Sequence, residues 1–103
     1  MKQPVHILIF EDNESLRESL VSLLTDSGEV EVLGAFGNGL EAANMVEVFH
    51  PDVIVMDIDM PRMDGISAVR AIKEKSPASA VVMYTQFEDD DKLFESLCAG
   101  ANG

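Results

Sequence analysis

A chain of 103 residues, 47% of them hydrophobic, suffices for one compact domain with its own core. Seven Lys+Arg against nineteen Asp+Glu give a formal charge of -12, which excludes a chain that grips nucleic acid or an anionic membrane by its own charge. The lone cysteine, Cys98, excludes an intrachain disulfide framework and reads as a buried structural thiol. No apolar run could span a membrane and the N-terminus is no signal peptide, so a cytoplasmic protein is expected.

The first apolar run, Val5 to Phe10, is continuous enough for a strand buried on both faces. It ends in Glu11-Asp12-Asn13. Leu16, Leu20, Leu23 and Leu24 then recur on one helical face, with Asn13 as N-cap and Gly28 just beyond the end. Val30 to Phe36 is a second strand, and its partial alternation Val30-Glu31-Val32 suits a sheet edge. Ala42, Ala43, Val46 and Phe49 make a second helix, opened by Asn38-Gly39 and stopped by Pro51. Val53 to Met56 is a third strand, running straight into Asp57. Ile66, Val69 and Ile72 make a third helix, closed by Ser76-Pro77 and capped by Asp64. Val81 to Tyr84 is a fourth strand, followed by Thr85, and Leu93, Phe94 and Leu97 share a fourth helical face. Strict β-α alternation predicts a doubly wound α/β domain with parallel strands and right-handed crossovers.

Ligands of such sheets sit at the carboxyl ends of the strands, near the switch in strand order. Glu11-Asp12, Asp57 and Thr85 stand at the ends of the first, third and fourth runs. If those strands are neighbours, three carboxylates and a hydroxyl converge. The carboxylates repel one another, and Mg²⁺ answers the conflict in a site that offers only a few oxygens. Against this stands the plainer reading that Glu11 and Asp12 cap a helix and Asp57 lies in a polar loop. A metal beside a carboxylate and a hydroxyl suggests phosphoryl chemistry, with the aspartate as nucleophile.

The motifs Ile7-Leu8-Ile9-Phe10-Glu11-Asp12-Asn13, Val55-Met56-Asp57-Ile58-Asp59-Met60-Pro61-Arg62-Met63-Asp64-Gly65, Met83-Tyr84-Thr85 and Ala99-Gly100-Ala101 follow in order along the chain. With them the chain resembles the receiver domain of a bacterial two-component response regulator, a flavodoxin-like, three-layer fold. The resemblance implies that Asp57 accepts a phosphoryl group from a sensor histidine kinase. Asp12 and Asp57 would bind Mg²⁺ directly, Glu11 through water and Asp59 through its backbone carbonyl. Thr85 would close over the phosphoryl group, whereas Tyr84 is expected to be packing and not switch. Phosphorylation would shift a population of conformers and rearrange the surface around Phe87 to Leu97. This is self-catalysed phosphoryl transfer and not turnover. DNA would be reached only through an output domain, absent here, as in regulators with a C-terminal helix-turn-helix.

The family also has a fifth strand and helix, with a lysine at the end of that strand. Neither element occurs in this sequence, and none of Lys2, Lys73, Lys75 or Lys92 stands at a strand end. Residues 1–103 are therefore expected to be a receiver domain with four βα units, incomplete at its C-terminus, within a longer regulator. The fourth strand's exposed side would favour a homodimer or exchange of elements, and phosphorylation would be slow or uncoupled. Asp59 adds charge beside the site, and Phe87 could restrict water. Two alternatives remain. A pseudo-receiver would keep the fold as an interaction module without the switch. A haloacid-dehalogenase-like phosphatase would use Asp57-Ile58-Asp59 as its DxD, although the downstream Lys and Asp motifs of those enzymes are lacking.

Overall fold

The structure is a computed structural model that describes residues 4–40, 42–57, 65–78 and 80–84. Its strands are β1 (Val5–Phe10), β2 (Val30–Phe36), β3 (Val53–Asp57) and β4 (Ala80–Tyr84). Between them run the helices α1 (Glu14–Asp26), α2 (Ala42–Phe49) and α3 (Gly65–Lys75). All pairings are parallel, in the order β2-β1-β3-β4. The expected neighbours β1, β3 and β4 do lie side by side, and β2 occupies an edge. The fourth helix expected from Leu93, Phe94 and Leu97 lies outside the described residues, as do Asp59, Asp64, Thr85, Phe87 and Cys98.

Period-two alternation divides the sheet into two faces. Leu8, Phe10, Ile54, Met56, Val81 and Met83 face α2 and α3, where Ala42, Val46, Ala68, Val69 and Ile72 complete the buried core. Ile7 and Ile9 are buried on the opposite face, the side of α1. Burying a side chain of this size stabilises the fold by about 1.5–3 kcal/mol.

Helix ends follow their sequence signals. Asn13 caps α1, its Oδ1 accepting from the Leu16 N–H at 3.0 Å. Gly28 follows α1 at φ 75°, a left-handed conformation that suits glycine. The chain leaves α2 through His50 at φ 49° and then meets Pro51. In α3, the Ser76 N–H donates to the Ile72 carbonyl at 2.7 Å just before Pro77.

Two features depart from the regular pattern. The β1–β2 register steps from Ile7↔Val32 to Leu8↔Gly34, so Leu33 is an extra residue in the edge strand. Gly34 permits this close approach: a Cβ there would lie 2.9 Å from Phe36 Cζ and 3.5 Å from Leu8 Cδ2. The Phe36 ring is in turn stacked on Phe10 at 5.4 Å. Gly34→Val is expected to destabilise the fold by roughly 1–3 kcal/mol, read as a lower urea midpoint at unchanged slope. An unchanged midpoint would show that the ring yields freely.

The other departure is the rotation of α1. Leu23, expected on the buried face, is 69% exposed, and the half-buried stripe is Leu16, Arg17, Leu20, Val21 and Leu24. Arg17 lies in that stripe, its guanidinium turned inward to the Glu11 carbonyl.

Candidate functional site

The register assembles the site. Phe10 pairs with Met56, so Glu11 follows on beside Asp57, and Asp57 pairs directly with Tyr84. The residue before each of the three, Phe10, Met56 and Met83, points into the α2–α3 core. Alternation therefore turns Glu11, Asp57 and Tyr84 to the same opposite face. They stand at the carboxyl ends of β1, β3 and β4, where the strand order reverses around β1.

Carboxylate oxygens of Glu11, Asp12 and Asp57 all lie within 4.8 Å of one another. Glu11 is 0% and Asp57 4% exposed, while Asp12 is open to solvent and forms the mouth. Buried carboxylates are costly without partners, and those of Glu11 are specific. Its Oε2 accepts the Asn13 N–H at 2.9 Å, and its Oε1 accepts the Tyr84 hydroxyl at 2.6 Å. The Glu11 backbone is anchored as well. Its N–H donates to the Phe36 carbonyl at 2.9 Å, and its own carbonyl accepts from Arg17 Nη1 at 2.8 Å. Gly37 leaves room for that arginine, since a Cβ there would lie 3.2 Å from Nη1.

The donor set is entirely oxygen, with no imidazole or thiolate among the clustered groups. Mutual repulsion, oxygen chemistry and one open side fit a hard divalent cation that keeps part of its water shell.

Of the residues singled out in the sequence, Glu11, Asp12 and Asp57 are brought together; Asp59 and Thr85 lie outside the described residues. Tyr84 and Arg17 had not been picked out for the site. Parity along β4 carried the signal for Tyr84: Val81 and Met83 are core residues, so the tyrosine had to face the acidic side. Nothing local distinguished Arg17.

Burial, the hydrogen bond to Glu11 and the charges of Glu11, Asp57 and Asp12 together hold the Tyr84 phenol well above its ordinary pKa. The folded value exceeds the unfolded one, about 10. The associated stability is thus complete below that pH and declines as the pH rises beyond it. The chain should unfold at lower urea at pH 11 than at pH 8, with no tyrosinate absorbance from the folded form near pH 10. A folded chain that ionises at pH 10 would contradict the half-buried hydrogen bond to Glu11.

A doubly wound parallel sheet with an oxygen-only acidic cluster at its switch point defines a domain suited to cation-assisted phosphoryl chemistry. The family described as response regulator receiver domain matches residues 7–103, and the chain belongs to that family, the phosphoacceptor signalling domains of two-component systems. It is 40% identical over 97% of its length to a protein-glutamate methylesterase/protein-glutamine glutaminase of group 3 operon from Rhodopseudomonas palustris, of which it covers 28%. It is 34% identical over 94% of its length to the transcriptional regulatory protein LiaR of Bacillus subtilis, covering 46%. Among solved structures, the response regulator domain of Thermotoga maritima CheB matches with a TM-score of 0.89 at 29% identity, over 97% of this chain and 75% of that one. The chain thus spans less than half the length of these curated relatives. No helix among the described residues is long and apolar enough to cross a membrane.

Proposed function

We propose that Asp57 accepts a phosphoryl group from a sensor histidine kinase in a Mg²⁺-dependent reaction, and that the phosphorylated domain controls transcription through an output domain. The supporting observation is the clustering of Glu11, Asp12 and Asp57 oxygens within 4.8 Å at adjoining strand ends. An Asp57 oxygen attacks the phosphorus of the phosphohistidine. The P–N bond breaks, its electron pair returns to the imidazole nitrogen, and an acyl phosphate is left on Asp57. Asp12 and Asp57 would hold the cation directly, Glu11 through water and Asp59 through its backbone carbonyl. The ion supplies neutralisation of charge on the transferring oxygens. Thr85 would hydrogen-bond one of those oxygens, and the burial of Asp57 limits the approach of bulk water.

LiaR, a transcriptional regulatory protein, supports the transcriptional output. The methylesterase/glutaminase relative favours a second reading, an enzymatic output domain regulated by the same switch. The site is expected to work in the cytoplasm, where the kinase's phosphohistidine is made. Homodimers, or element exchange, are proposed through β4, an edge strand among the described residues that carries Val82 44% exposed. A concentration-independent monomer in sedimentation would remove that part. Membership of the receiver family leaves the phosphatase alternative without support, and the intact acidic triad speaks against a pseudo-receiver. The deciding experiment is intact mass after incubation with Mg²⁺ and a small-molecule phosphodonor. Failure to gain a phosphoryl group, in this chain and in one extended past Gly103, would favour the pseudo-receiver.

A further inference from the structure

We propose that Tyr84 is a positioning residue for Glu11: its hydroxyl reaches across β3 and sets the Glu11 carboxylate in the place from which it serves the cation. This rests on the metal reading given above. Tyr84 is in register with Asp57 and not with Glu11, and β3 lies between β4 and β1. Neighbouring strands stand about 4.8 Å apart, so the β4 and β1 backbones lie roughly two strand spacings apart, a gap that the Tyr84 and Glu11 side chains bridge together through their hydrogen bond. Packing alone would be met by a phenylalanine. The 2.6 Å bond to a carboxylate is a charge-assisted contact that phenylalanine cannot make.

The geometry around Glu11 gives that bond its effect. Oε2 is held by the Asn13 N–H from the start of α1, and Oε1 by Tyr84 from the end of β4. Two donors on separate elements fix the plane of a fully buried carboxylate. Without the phenol, the group can pivot about its bond to Asn13, and one oxygen is left buried with fewer donors. A cation joining Asp12 and Asp57 would then meet Glu11 in a distribution of orientations instead of one. Glu11, which would reach the cation through water, is itself such a partner behind the immediate ligands, where a change commonly alters affinity by an order of magnitude or more, and losing its fixed orientation forfeits part of that.

The molecule carries its own probe, since Tyr84 is the only tyrosine and there is no tryptophan. Mg²⁺ added to the unaltered chain should shift the near-ultraviolet tyrosine band, saturating with the Kd found by calorimetry. The Asp12→Ala chain should show no shift. By calorimetry, Tyr84→Phe should bind Mg²⁺ more weakly, by up to about tenfold. If Tyr84→Phe does not fold, the titration of the unaltered chain decides alone. A tyrosine band that stays still while calorimetry registers binding, or a folded Tyr84→Phe chain of unchanged affinity, would overturn the inference and leave the metal reading intact. An unaltered chain that takes up no Mg²⁺ would overturn both.

Discussion

Incubated with Mg²⁺ and a small-molecule phosphodonor, the chain is expected to gain one phosphoryl mass, and the Asp57→Ala chain none. The effect should be all-or-none, because the nucleophilic oxygen disappears with the side chain. Loss of fold would not explain it. Asp57 sits at the last position of β3, after the core residues Ile54 and Met56, and its removal takes one charge from a crowded acidic cluster. Circular dichroism of the variant should match that of the unaltered chain. Phosphoryl uptake by Asp57→Ala would move the acceptor to another carboxylate, with Asp12 the first to test.

Mg²⁺ should stabilise the folded chain, and the effect of Asp12→Asn on stability should change sign between Mg²⁺ and chelator. A ligand at about 100 times its Kd adds about 2.7 kcal/mol when only the folded form binds it. Asp12 contributes one of the three convergent oxygens, so Asp12→Asn should lose nearly all of that increment. In a chelator the same substitution should be stabilising. It removes a negative charge beside Glu11 and Asp57, worth about 1 kcal/mol for a solvent-facing group at this separation. Urea unfolding of both chains, with Mg²⁺ and with chelator, would show the two curves exchanging order. Parallel changes in both conditions would mean that Asp12 acts only as a local cap and not through the cation. The further, Tyr84-dependent part of affinity is separable, because Tyr84→Phe leaves all three carboxylates in place.

Much of this was legible along the chain. Continuous apolar strands between amphipathic helices dictate parallel strands covered on both faces, and the switch-point rule then directs attention to Glu11, Asp12 and Asp57 at the strand ends. The caps at Asn13 and Gly28 and the stops at Pro51 and Pro77 depend on a few neighbouring residues, which is why they could be read locally. The rotation of α1 could not. Its leucines permit several inward faces, and the one taken brings Arg17 within reach of a carbonyl at the end of another element.

The sequence by itself determined the fold class and placed Glu11, Asp12 and Asp57 at strand ends, because alternation, periodicity and strand-end position are properties of contiguous residues; the resemblance to receiver domains singled out Asp57 as the expected acceptor. Tertiary structure decided what those residues touch. Tyr84 reads as packing along the chain, yet its hydroxyl meets Glu11, 73 positions away in sequence. Gly34 makes space for Phe36 over a bulge that the sequence of the strand did not announce. Both contacts depend on register between strands and on the face each residue presents across a neighbour, and register is set only when the sheet assembles.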